Sequence, residues 1–178
     1  MNAGRSTVHE VHGPMAFDVD GPVTAEVFTV ARTEEGLVLT GPCGADPWLI
    51  EAGPREHPLD TVRRIVSGAL DGVLLVHSTS WRYERDAVVL SFMVVLDPVG
   101  IGSMAVAPIG RTELARSTAH AAPSVIGHNQ VIEHALRHMA WLAAEDEIVK
   151  ATLDEGWHAA LEGYVPEPFR QLERPRLD

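Results

Sequence analysis

"GVLLVHSTSWRYERDAVVLSFMVVLDP", residues 72–98, decides the fold. Two long runs rich in Val, Leu, Ser, Thr and aromatic residues flank the charged corner "YERD", a composition that suits two strands joined at a polar turn. The spacing predicts a central β-hairpin. Its second run, "AVVLSFMVVL", is apolar at successive rather than alternate positions, as expected of a strand covered on both faces. That run should be the most buried strand of a sheet, with helices on either side.

Toward the N-terminus, "VTAEVFTVAR" (23–32) and "LVLT" (37–40) are strand-like runs separated by "TEEG", which predicts a second hairpin with a Gly-containing loop. "WLIEA" (48–52) reads as a short strand between the breakers "GPCGADP" and "GPREHP". Pro58 then suits a first helical turn, and Leu59, Val62, Ile65, Val66, Ala69 and Leu70 recur at spacings of three and four, predicting a helix over 58–71. Residues 1–22 lack any sustained period and read as a loose arm or an irregular first strand.

Beyond the hairpin, residues 99–127 form a long segment rich in small residues, interrupted by Pro108 and Pro123, with room for a short helix around "RTELARS". Helical periodicity resumes near 128 and continues to about 162, ahead of the Pro-punctuated tail "VPEPFRQLERPRLD". The sum is a single domain of α+β class with a mixed sheet: an arm (1–22), an α/β core (23–127) and a C-terminal helical pair (128–178) packed on that core.

Composition narrows the function. A formal charge of -11 repels a phosphate backbone, so nucleic-acid binding is disfavoured. No segment reaches the roughly 18 apolar residues of a membrane span, and the first 22 residues lack a signal-peptide core, so neither membrane insertion nor export by that route is expected. One cysteine, Cys43, excludes an internal disulfide and suits a reducing, cytoplasmic setting. Lys150 is the one lysine among 14 basic residues, a codon bias that points to a GC-rich, actinobacterial genome.

The most chemical stretch is "HNQVIEHALRHMAWLAAEDE" (128–147). On a helical wheel Ile132, Ala135, Leu136, Met139, Leu142 and Ala143 make the core-facing arc, and His134, His138, Trp141 and Glu145 form a stripe beside it. His134 and His138, one turn apart, have the spacing at which two imidazoles share a metal. Two readings stay open: boundary residues half covered by the sheet or a second subunit, or a zinc site completed by His128, His120 or His77 that would serve a metal-dependent hydrolase. "HALRH" lacks the glutamate of a zincin motif, and no second helix supplies a di-iron set.

Other candidates are weaker. "STSWRYERD" gathers Trp81, Arg82 and Arg85 where they could line a pocket for a planar, anionic ligand; the plainer reading is a hairpin with a solvated edge. His9 and His12 sit in the arm, Cys43 has no apparent base, and Gly100 and Gly102 read as a tight connection rather than a phosphate loop.

The order hairpin, short strand, Gly-containing turn, helix and long strand pair resembles the Nudix fold. Glu56, followed after seven residues by Arg64 with Val66 beyond it, matches part of that family's box over "EHPLDTVRRIVSGALDGV". Ile65, Gly68 and Ala69 stand where the family carries metal-binding glutamates. The resemblance therefore implies a Nudix-like fold, over roughly residues 23–98, that keeps the cleft and has lost Mg²⁺-dependent pyrophosphate hydrolysis. The expected function is small-molecule or nucleotide binding, or interaction, with no cofactor and with Glu56, Arg64, Trp81, Arg82 and Arg85 as candidate ligand contacts. A homodimer is also expected, because Trp141, Ile148, Trp157, Leu161, Tyr164 and Phe169 offer more apolar surface than one sheet face should need.

Overall fold

Strand β1 (Val23–Thr33) runs through the middle of the sheet in a computed structural model that describes residues 23–53, 55–84, 87–112, 114 and 126–164. Along one side β1 pairs in parallel with β5 (Ala87–Leu96). Its other side is shared: β2 (Gly36–Thr40) takes the C-terminal half and β3 (Trp48–Ala52) the N-terminal half, both antiparallel. β4 (Val73–Glu84) pairs antiparallel with β5 and forms one outer edge among the described residues, and the two-residue β6 (Ala107–Pro108) forms the other beyond β2. The protein is thus α+β with a mixed sheet that has six strands among the described residues.

Period-two alternation sorts the strand residues onto two faces. On one face Ala25, Val27, Ile50, Phe92, Val94 and Leu96 pack against Val62, Val66 and Leu70 of helix α1 (Pro58–Ala69) and its C-cap. On the other, Phe28, Val30, Met93 and Val95 meet α2 (His128–Glu145), α3 (Glu147–Thr152) and α4 (Glu155–Leu161) through Ile132, Leu136, Met139, Val149, Trp157 and Leu161. Each large side chain so buried contributes about 1.5–3 kcal/mol. All six residues of the α2 arc read from the sequence are buried.

The structure departs from the sequence reading at several points. β1 rivals β5 as the most buried strand, because residues 87–90 of β5 are only half-buried while β1 is buried over most of its length. Among the described residues the helical pair is three helices. Asp146 and Asp154 break the run: the Asp146 side chain accepts from the backbone N–H groups of Ile148 and Val149 at 2.9 and 3.0 Å, and Asp154 accepts from Trp157 N–H at 2.8 Å, so each restarts a helix as its N-cap. Within the 99–127 segment, β6 and a 3-10 turn (Pro98–Ile101) are formed, whereas most of "RTELARS" lies outside the described residues. Gly100 packs so closely on the Asp71 carbonyl that a side chain would collide, which makes this glycine pair a tight connection.

The apolar surplus assigned to the C-terminus is largely absorbed by the chain itself. Trp157, Leu161 and Tyr164 are buried in its own core, Trp141 is half-buried, and Ile148 alone of the described members is strongly exposed. The short α3 and α4 turn these side chains back under α2, which a single straight helix could not do. Phe169, the arm with His9 and His12, and His120 lie outside the described residues.

Candidate functional site

Glu26 stands in the middle of β1, in "TAEVF", yet is only 2% exposed. Its carboxylate is held by the Arg82 guanidinium at 2.7 and 3.1 Å, reaching across β5, and it accepts from Ser91 Oγ at 3.3 Å. His128 Nε2, at the start of α2, approaches it at 3.5 Å. Register explains the meeting: Glu26 lies beside Ser91, and Arg82 is paired with Val89 on the same face. Arg82 also donates to Glu84 at 3.0 Å. A cleft of about 390 Å³ opens next to His128, lined by Thr112, Gly127, Asn129 and Gln130 as well. Gln130 Oε1 accepts from Gly127 N–H at 2.9 Å, so part of its wall already serves as the helix cap.

Of the five proposed ligand contacts, the four that the structure describes do not converge. Trp81 pairs with Leu90 and Tyr83 with Val88, so both aromatics sit on the α1 side of the sheet while Arg82, one residue between them, points to the α2 side. Period two separates what sequence adjacency had joined. Trp81 is 70% and Tyr83 66% exposed. Arg85 lies outside the described residues. Glu56 and Arg64 form a surface ion pair, with the guanidinium 3.1–3.3 Å from the carboxylate, and the Arg64 bonds hold the Glu56 carboxyl below its ordinary range.

The histidines are distributed in a way the spacing did not show. His138 faces His77 of β4, with Nε2 to Nε2 at 3.1 Å, and touches the Trp141 ring edge-on. His128 is at Glu26, with its ring edge-on to Phe28. The set His134, His138 and His128 is therefore not assembled, and among the described residues no group of three His, Cys, Asp or Glu side chains gathers to hold a metal. Burial lowers both His77 and His138 below the ordinary value of 6.5; the charge of Asp146 opposes this for His77, while repulsion from His77 and His134 adds to it for His138.

Both rings are thus neutral near pH 7, and one donates to the other. Because the folded values lie below the unfolded one, the stability they contribute is complete above about pH 6.5 and is lost as pH falls through the depressed folded values. Thermal melts of the wild type should decline across that window, and His138→Gln should flatten the decline. An unchanged pH profile in the variant would remove the pair from the account.

Two carboxylates escaped the sequence reading. Besides Glu26, Glu133 of α2 is 1% exposed and receives Arg111 at 3.0 and 3.1 Å, Arg137 at 2.8 Å and Thr112 N–H at 3.4 Å. Burial pushes the Glu133 carboxyl up, but Arg137, Arg111 and Thr112 outweigh it and hold it below its ordinary range. Arg111 also donates to the Gly163 carbonyl at 2.7 Å and lies 3.9 Å over the Tyr164 ring, which fastens the chain end to α2. The Glu133–Arg137 spacing of four was the visible signal. This cluster is structural in form, since every charged group in it is matched.

Neither a scan against protein-family models nor a search of curated proteins returns a match for the chain. Among the described residues no helix is long and apolar enough to cross a membrane.

Proposed function

We infer that this protein is a non-catalytic interaction module that receives an extended polypeptide along the outer edge of β4. The observation that carries this reading is the pair Trp81 and Tyr83, both more than half exposed on one face of a strand that, among the described residues, is bonded on one side only. Large aromatics are the side chains most enriched at interface hot spots, and an open strand edge offers a row of backbone donors and acceptors. The charged groups point the same way, because the buried Glu26–Arg82 pair braces the strand from its other face instead of facing a substrate.

The domain is read as Nudix-like and without pyrophosphate hydrolysis. Support comes from the element order β1 to β5 and from the ion pair that joins Glu56 to Arg64, the two residues matching that family's box. The exposed, unpaired Cys43 supports a reducing, cytoplasmic setting. A small polar ligand at the cleft beside His128 is a second reading, favoured by the placement of that imidazole between Glu26 and the cleft.

Selection of peptides from a random displayed library tests the edge reading. Peptides retained by the wild type should bind the Trp81→Ser, Tyr83→Ser double variant at least about tenfold more weakly, a loss of roughly 1.4 kcal/mol. His128→Ala should leave them unaffected. Peptides that bind the double variant as well as the wild type, or that depend on His128, would overturn it.

A further inference from the structure

We propose that the Nε2 atoms of His77 and His138 form a two-histidine site for a divalent transition-metal ion of the Zn²⁺ class, held where β4 meets α2. The inference is independent of the edge reading. The two imidazoles come from elements 61 positions apart and aim Nε2 at Nε2 across 3.1 Å, with ring planes only 17° from parallel. Two nitrogens on one tetrahedral Zn²⁺, with bonds of about 2.0–2.1 Å, stand about 3.3–3.4 Å apart. At the same bond lengths, neighbouring ligands at right angles, as on tetragonal Cu²⁺, are about 2.8–3.0 Å apart. The pair is thus already at the separation such an ion imposes, and the rings have only to tilt so that both lone pairs converge on it.

The surroundings favour the ion. His77 and His138 are half-buried, so packing, including the Trp141 ring against His138, orients the pair while each residue keeps contact with solvent. Both rings are neutral near pH 7, so no proton has to leave: the donating ring moves its proton from Nε2 to Nδ1, and both Nε2 lone pairs are then free to bind. The Asp146 carboxylate is close enough for its charge to act on His77. Its Oδ1 serves the α3 cap, and Oδ2 carries no hydrogen bond among the described residues, so it supplies opposite charge beside the ion. Among the described residues no third side chain completes the set. Water therefore fills the remaining positions and the ion exchanges, unlike the closed four-ligand centres that hold a fold permanently. While bound, it clips β4 to α2. The structure thus puts His77 in the place that helical spacing gave to His134.

Equilibrium dialysis of the EDTA-stripped full chain against ZnCl₂ tests the site. His77→Gln and His138→Gln should each weaken Zn²⁺ binding at least about tenfold, whereas His134→Gln should change it less than about twofold. Saturating Zn²⁺ should raise the melting temperature of the wild type and leave that of His138→Gln unmoved, because an ion that binds only the folded chain stabilises it. Melts in EDTA separate lost binding from lost folding. A measurement on the wild type needs no variant: Zn²⁺ should shift the ring ¹⁵N resonances of His77 and His138 together. Zn²⁺ that is not retained, resonances of the two rings that stay in place, or binding that survives the His77→Gln, His138→Gln double variant overturns the site. A loss at His134→Gln as large as that at His77→Gln also overturns it, because the pair alone would then not be the site.

Discussion

Arg82→Leu is expected to destabilise the fold by about 3–5 kcal/mol, the cost of removing one partner from a buried ion pair and leaving the other uncompensated. Glu26 is the partner left behind. At 2% exposure it has no route to water, and Ser91 and His128 supply one neutral hydroxyl and one imidazole in place of a two-pronged guanidinium. Half of the damage should be recoverable: with Glu26→Gln added, the buried charge disappears and the double variant should be more stable than Arg82→Leu alone. Urea unfolding of the two variants and the wild type measures this. Equal midpoints for wild type and Arg82→Leu would mean that Glu26 finds another cation or is solvated, and that β4 is not braced from its inner face.

Glu133→Ala is expected to cost a similar amount at neutral pH, about 3–5 kcal/mol, since Glu133 is 1% exposed and joins Arg111 and Arg137 to α2. Arg111 is half exposed on its side chain and can turn to water, which places the value toward the lower end. The pH dependence follows from the sign of the shift. The folded carboxyl titrates below its ordinary value of 4.5, so its stabilisation is fully present above that pH and is lost as pH falls through the lower, folded value. The gap between wild type and variant should therefore be widest near neutrality and close in acid. A gap independent of pH would assign the loss to the missing side-chain volume instead of the charge.

The two networks differ in what they hold. Glu133 fastens the 109–112 segment and residues 163–164 to α2, and its loss should loosen the chain end. Glu26 fastens the outer strand to the sheet centre.

Local order was legible in the sequence because it is written in spacings of two, three and four. The hairpins β1–β2 and β4–β5, strand β3, helix α1 and the apolar arc of α2 all follow from residues close together in the chain, and composition separated the strands from the helices. Sequence also carried the absence of a zincin pattern around His134 and His138, and the breakers that bound α1. Where two aspartates interrupted an otherwise continuous apolar period after residue 145, the periodicity concealed caps that only hydrogen-bond geometry identifies.

What tertiary structure decided is which distant residues meet. Arg82 reaches Glu26 across 56 positions, His138 finds His77 across 61, and Arg111 finds Glu133 across 22. The first of these meetings depends on β5 pairing in parallel with β1, a connection whose partner no local pattern specifies. Strand alternation sends Trp81 and Arg82 to opposite faces, and the helix restart at Asp154 turns Trp157 inward from a surface to which its helical setting alone could have assigned it. Sequence fixes which face of each element is apolar through short-range periodicity. Tertiary structure fixes what each face meets, because buried area and paired charge are gained by elements far apart in the chain.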